Sequence, residues 1–141
     1  MKKTYTKLTV LSALPMALLS CLLVFGTTTA TAQSGGVIND ECANATVLTP
    51  GATCTVVPVD PTGASLSADV SLCGGTPNDD VWFSFVAVAE DATVTVDGNA
   101  DMDAVIEVAE GSCGALTLVS CTDATLGDGT EVANLTGLVV G

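Results

Sequence analysis

Residues 38–141 predict an all-β fold, a small antiparallel β-sandwich of jelly-roll type stapled by disulfides. Short runs in which apolar and β-branched residues alternate recur about every ten residues between turns bearing Asp or Gly, a period that suits strands and not helices. Five of the six cysteines lie in the same stretch, the density expected of a small exported domain that lacks a large core.

The residues before it form a separate unit. Lys2, Lys3 and Lys7 precede an apolar run from Leu8 to Phe25, and Ala30-Thr31-Ala32 offers small residues for cleavage ahead of Gln33. This is the pattern of a secretory signal over residues 1–32. A membrane span competes, since the run approaches the roughly 20 residues a bilayer requires, but Pro15 and the small-residue tail favour the signal. A lipid on Cys21 fits less well, because the apolar run continues through Leu22-Leu23-Val24-Phe25. Residues 33–37 read as a flexible Gly/Ser leader, and the domain proper starts at Ile38.

Within the domain, the segment Asn39 to Leu48 runs past Cys42 into a short first strand that stops at Pro50-Gly51. Thr53 to Val59 alternates Thr and Val as a second strand, confined to an edge by Pro58 and Pro61, which cannot donate to a ladder. Residues 62–77 are the most loop-like, a crossover tied down by Cys73. The central strand follows. Phe83, Phe85 and Ala87 share one face and Trp82, Ser84, Val86 and Val88 the other, with Asn78-Asp79-Asp80 as the turn that leads in to Val81. Three more strands are expected at Ala92–Val96, Ala104–Val108 and Ala115–Val119, and a last one over Thr130–Leu138. The expected core is Val81, Phe83, Phe85, Val94, Val96, Ile106, Val108, Leu116 and Leu118. The chain then stops at Gly141 on an apolar approach to a turn, which leads us to expect that the last strand or strands of the sandwich are missing here.

Charge narrows the function. All three basic residues lie before residue 33, so residues 33–141 carry sixteen carboxylates, no Lys, Arg or His, and a formal charge of −16. Such a surface repels nucleic-acid phosphates and offers no cation to a phosphorylated substrate. A Ser or Cys nucleophile would have neither His nor Lys as its base, so no enzyme activity is expected. Without His or a CxxC pair, Cys42, Cys54, Cys73, Cys113 and Cys121 read as a disulfide framework and not as zinc thiolates. The spacing of Cys113 and Cys121 suits a bridge across one hairpin. Connectivity among Cys42, Cys54 and Cys73 stays open, and one of the five must lack a partner within the chain.

Two candidate sites stand out. Asp97, Asn99, Asp101 and Asp103 place oxygen side chains at every second position between two strands, and a curled loop of that kind could hold calcium; the competing reading is a solvated acidic turn. It is not an EF-hand, because Met102 stands where that loop needs Gly. Asp79 and Asp80 could join the site if the loops meet, although Asp80 and Asp103 also suit the starts of strands. Trp82 could stack on a sugar ring if its face were open, and otherwise it fills the second side of the sheet.

The series Asn39-Asp40-Glu41-Cys42-Ala43-Asn44-Ala45, Cys73-Gly74-Gly75, Asp80-Val81-Trp82-Phe83-Ser84-Phe85, Asp103-Ala104-Val105-Ile106-Glu107-Val108 and Gly111-Ser112-Cys113-Gly114 resembles the cysteine-bearing pre-peptidase C-terminal-like domains of secreted Bacteroidota proteins. The resemblance implies a non-catalytic extracellular module in a larger secreted or cell-surface protein, serving attachment, spacing or presentation, with other domains of the same chain or surface components as partners. It also implies a further strand beyond the equivalent of Gly141. Two alternatives are a calcium-dependent module that binds glycans and a fibre subunit that self-assembles by strand exchange.

Overall fold

In the computed structural model, described for residues 3–11, 36–67, 73, 79–99 and 102–141, strands account for nearly all the regular structure. Strand β3 (Asp79–Val86) is buried along almost its whole length, as expected for the only segment that carries Trp and two Phe residues. Around it lie β1 (Lys3–Leu11), β2 (Thr46–Val47), β4 (Ala92–Asp97), β5 (Asp103–Ser112), β6 (Ala115–Thr122) and β7 (Thr130–Leu135), with one 3₁₀ turn at Cys42–Asn44. The order is β2-β3-β1-β5-β6 in a five-stranded sheet, and β4 pairs with β7 in a two-stranded one. All pairings are antiparallel except that of β2 with β3. The fold is a small, disulfide-stapled all-β domain.

The core lies between the two sheets. Phe85, Ile106 and Val108 pack with Ala133, Leu135 and Leu138, and Val94 and Val96 close over them. Val81, Phe83 and Ala104 form a second cluster with Ala64. Full burial of each larger side chain contributes about 2 kcal/mol. Of the expected core, Leu116 is half-buried and Leu118 is 42% exposed. Their strand, β6, is the outer strand of the larger sheet, and the two-stranded sheet is too narrow to cover it.

Three further expectations change. The segment Thr53–Val59 forms no strand, and its Val56 is 88% exposed; β2 already occupies the outer edge of β3, and Pro58 and Pro61 weaken any ladder of their own. The first strand shrinks to the two residues of β2 behind a 3₁₀ turn. The last strand ends at Leu135, with Gly137 at φ 71° just beyond it. Strand β1, which falls within the expected signal, pairs with β3 on one side and β5 on the other.

The hairpin bridge between Cys113 and Cys121 is also replaced. Ser112 pairs with Ala115, so Cys113 and Gly114 are themselves the turn, while Cys121 stands opposite Glu107. Five residues of strand, about 17 Å, separate the two levels. The bridges are instead Cys42–Cys113 and Cys73–Cys121, with Cα atoms 5.7 and 5.6 Å apart, and among the described residues Cys54 is the free, exposed thiol. Peptide mapping of unreduced protein is expected to recover those two linked pairs, with Cys54 alkylated; a Cys113–Cys121 peptide would overturn the assignment.

Candidate functional site

The polar side chains that sequence reading placed at candidate sites on β3 and β5 lie toward one end of the larger sheet, where both strands begin on either side of β1. On β3, Asp80 is fully buried: one carboxylate oxygen accepts the Ser67 N–H at 2.7 Å and the other the Ser67 hydroxyl. The Trp82 indole N–H donates to the same hydroxyl oxygen at 2.7 Å. Alternation along β3 puts Asp80 and Trp82 on one face, two residues apart, and Ser67 bridges them from the crossover loop. Next to this, the Trp82 N–H donates to the Asn39 carbonyl and the Asn39 amide to the Trp82 carbonyl. Asp40 accepts the N–H and hydroxyl of Ser65 at 2.5 and 2.9 Å.

Trp82 is only 2% exposed. It therefore has no open face on which a sugar ring could stack, and the reading in which it fills the sheet is the one the structure adopts. Ser67→Ala removes the hydroxyl that serves both Asp80 and Trp82 and is expected to cost about 2 kcal/mol, read by chemical denaturation. Its second readout is the tryptophan emission, expected to become more accessible to acrylamide.

At the same end, on the far side of β1, the chain turns back between β4 and β5. Asn99 and Met102 form an antiparallel bridge, the Met102 and Asp128 N–H groups donate to the Asn99 carbonyl, and the Gly98 N–H donates to Gly129. A Cβ on Gly98 would stand 2.9 Å from the carbonyl oxygens of both Gly129 and Met102, so only glycine permits this approach. Asp97 accepts the Thr130 hydroxyl at 2.8 Å, and Asp103 opens β5 with its Oδ1 lacking a hydrogen-bond partner among the described residues. Asp101 lies outside them. Among the described residues no three carboxylate, thiol or imidazole groups come together in a way that could hold a metal ion, and Asp79 and Asp80 do not join Asp97 and Asp103 in such a group.

Sequence reading missed Glu131. The alternation of β7 turns Glu131, Ala133 and Leu135 inward, and the Glu131 carboxylate is fully buried. It accepts the Ala124 N–H at 3.0 Å and the Thr125 N–H and hydroxyl at 2.5 and 2.6 Å. Burial by itself would raise its pKa, but the Thr125 hydroxyl and the two backbone N–H donors together outweigh it and hold the carboxyl below its ordinary value. A repeated device emerges: Asp40 with Ser65, Asp80 with Ser67, and Glu131 with Thr125 each join a carboxylate to the N–H and hydroxyl of one Ser or Thr. In a stretch without a single cation, this is how a carboxylate can be taken out of water.

Cys54 lies on a shallow surface depression with Asp91, Thr93, Asn134 and Thr136. No helix among the described residues is long and apolar enough to cross a membrane. No family model matches the chain, and neither a curated protein nor a solved structure is similar to it.

Proposed function

We propose that residues 38–141 form a non-catalytic accessory module of an exported protein, used for attachment, spacing or presentation within a larger secreted or cell-surface assembly. The observation that carries this reading is the use made of the inward-facing polar groups just described. Asp40, Asp80 and Glu131 each clamp a loop, and residues 33–141 hold neither His nor Lys that could turn a hydroxyl or thiol into a nucleophile. Two disulfides suit an oxidising compartment, and the signal-like N-terminus gives a route to one. The likeness to cysteine-bearing pre-peptidase C-terminal-like domains supports the same role.

The test is the intact mass and N-terminus of the protein as secreted by its natural host. We expect Gln33 as the first residue and a mass well above that of residues 33–141, belonging to the domains that the module serves. A mass equal to that stretch would remove the accessory role. Chelator addition is expected to move the melting temperature by no more than about 2 °C; a larger fall would point instead to a calcium-dependent glycan-binding module.

A further inference from the structure

The stretch Thr53–Val59 has the alternation of a strand and pairs with nothing. Residues 51–60 are exposed throughout, and Val56 is 88% exposed. Among the described residues no hydrogen bond reaches residues 53–59, so their backbone donors and acceptors are left to water. The same chain has a strand edge in the same condition. β4 pairs with β7 alone, and its inward residues Ala92, Val94 and Val96 are only half-buried where those of β7 are fully buried. The ladder shows which groups of β4 are open. The Gly98 N–H donates to the Gly129 carbonyl one step beyond the pairing of Asp97 with Thr130, and bonded and non-bonded pairs alternate along an antiparallel ladder. Val94 and Val96 thus bond to β7, while Thr93, Thr95 and Asp97 turn their N–H and carbonyl groups away from it. Neither a proline nor a bulge blunts this edge.

We propose that Thr53–Val57 is a strand-addition arm, and that it pairs antiparallel with the β4 edge of a second copy of this chain. Proline sets the register. Pro58 has no N–H, so it must stand opposite a β4 residue that bonds to β7 and asks nothing of the incoming strand. Placing Pro58 opposite Ala92 meets that condition. Thr53, Thr55 and Val57 then exchange backbone bonds with Asp97, Thr95 and Thr93, the residues whose groups are open. Residues opposite each other across a ladder share a face, so Val56 and Cys54 fall beside Val94 and Val96 and cover their half-exposed inner side. A slip by one residue would put Pro58 in a bonding position and turn Val56 to water. Charge favours a second copy as the partner. Residues 42–59 carry no charged side chain, and β4 carries only Asp97 at its end, which this register sets opposite Thr53. Arm and edge are therefore surfaces on which two strongly acidic chains can meet without opposing carboxylates, and strand addition supplies the main-chain bonds.

The experiment uses the full chain carrying Cys54→Ser, so that thiol exchange cannot link copies. Sedimentation is expected to show association that rises with protein concentration and is at least about tenfold tighter at high salt than at low salt, because salt screens the repulsion between copies. As association proceeds, amide exchange should slow at Thr93, Thr95 and Asp97, the groups turned away from β7. Thr55→Pro removes a donor that makes no hydrogen bond within the chain, and Thr95→Pro one directed away from β7, a position where an edge tolerates proline. Each variant alone is expected to lose at least about tenfold in association. An equimolar mixture of the two should recover it, since one keeps its edge and the other its arm. Should Thr95→Pro not fold, Thr55→Pro and the exchange pattern decide by themselves. A chain that stays monomeric at high salt would overturn the proposal, as would association that weakens with salt, which would mark the N-terminal lysines meeting the acidic surface. Association unchanged by Thr55→Pro would remove the arm from the contact. Slow exchange of the same three amides in the dilute monomer would mean that the arm closes on its own β4, also against the proposal. None of these outcomes depends on the accessory role, which the intact mass decides separately.

Discussion

Replacing Cys42 and Cys113 together by serine is expected to remove about 4 kcal/mol of stability, and replacing Cys73 and Cys121 a similar amount. The bridges close chain separations of 71 and 48 residues, and the loss of unfolded-chain entropy scales with the logarithm of those lengths. Cys42–Cys113 ties the 3₁₀ turn at the start of the domain to the tip of the β5–β6 hairpin, and Cys73–Cys121 ties the crossover loop to β6. Both reach β6 or the turn that leads into it, a largely exposed edge strand, so apolar packing offers little to replace them. The measurement is thermal unfolding of the two paired variants in a Cys54→Ser background, which removes the free thiol as an exchange partner. A fall on the order of 20 °C for each is expected. Variants that melt within about 3 °C of the parent would show that the bridges do not constrain the unfolded chain.

Glu131→Ala is expected to cost about 3 kcal/mol, since it strips the shared acceptor from the Ala124 N–H, the Thr125 N–H and the Thr125 hydroxyl. Gly129→Ala should act on the same cage from the other side, because an added Cβ would collide with the Thr125 side chain and stand 2.8 Å from the Leu126 carbonyl oxygen. The direction of the Glu131 shift fixes the pH dependence. A carboxyl held below its ordinary value in the folded state stabilises the fold fully above that ordinary value, and the contribution disappears as pH falls through the lowered one. The gap in melting temperature between parent and Glu131→Gln should therefore be widest near neutrality and narrow as pH falls through the ordinary carboxylate range and below it. Comparison with Gln isolates this group from the repulsion among the other carboxylates, which acid relieves in both proteins. A gap that stays constant with pH would place the stabilisation in side-chain packing and not in the ionised carboxylate.

The strands from β3 onward were legible because each carries its own period. Phe83, Phe85, Ile106 and Val108 alternate with polar or smaller residues, and such alternation survives any arrangement of neighbours. Thr53–Val59 carried a similar signal and failed, because a strand also needs a free edge to pair with, and β2 took the one beside it. Glu131 was illegible for the opposite reason. A carboxylate at an inward position contradicts the pattern unless Thr125 is known to reach it, and that contact belongs to the β6–β7 loop. Trp82 could be read either as an open platform or as filling, and Ser67 decided for filling, from a loop with no local link to β3. The cysteine pairing erred where linear spacing was taken for spatial spacing. Cys113 and Cys121 are near in sequence, but Cys113 sits at the hairpin tip, and a strand carries its residues apart by more than 3 Å each.

Residue content and period alone establish an all-β domain with a disulfide framework, an aromatic strand at β3 that is buried along almost its whole length although β1 and not β3 is the middle of the sheet, and sixteen carboxylates that residues 33–141 must manage without a cation. These follow from composition and from period, which are local and need no partner. Only the folded chain settles which cysteines join, which carboxylates are buried and on which Ser or Thr, and that β1 lies between β3 and β5. Each of these depends on residues distant in the chain being brought to the same place, and no local pattern encodes that distance.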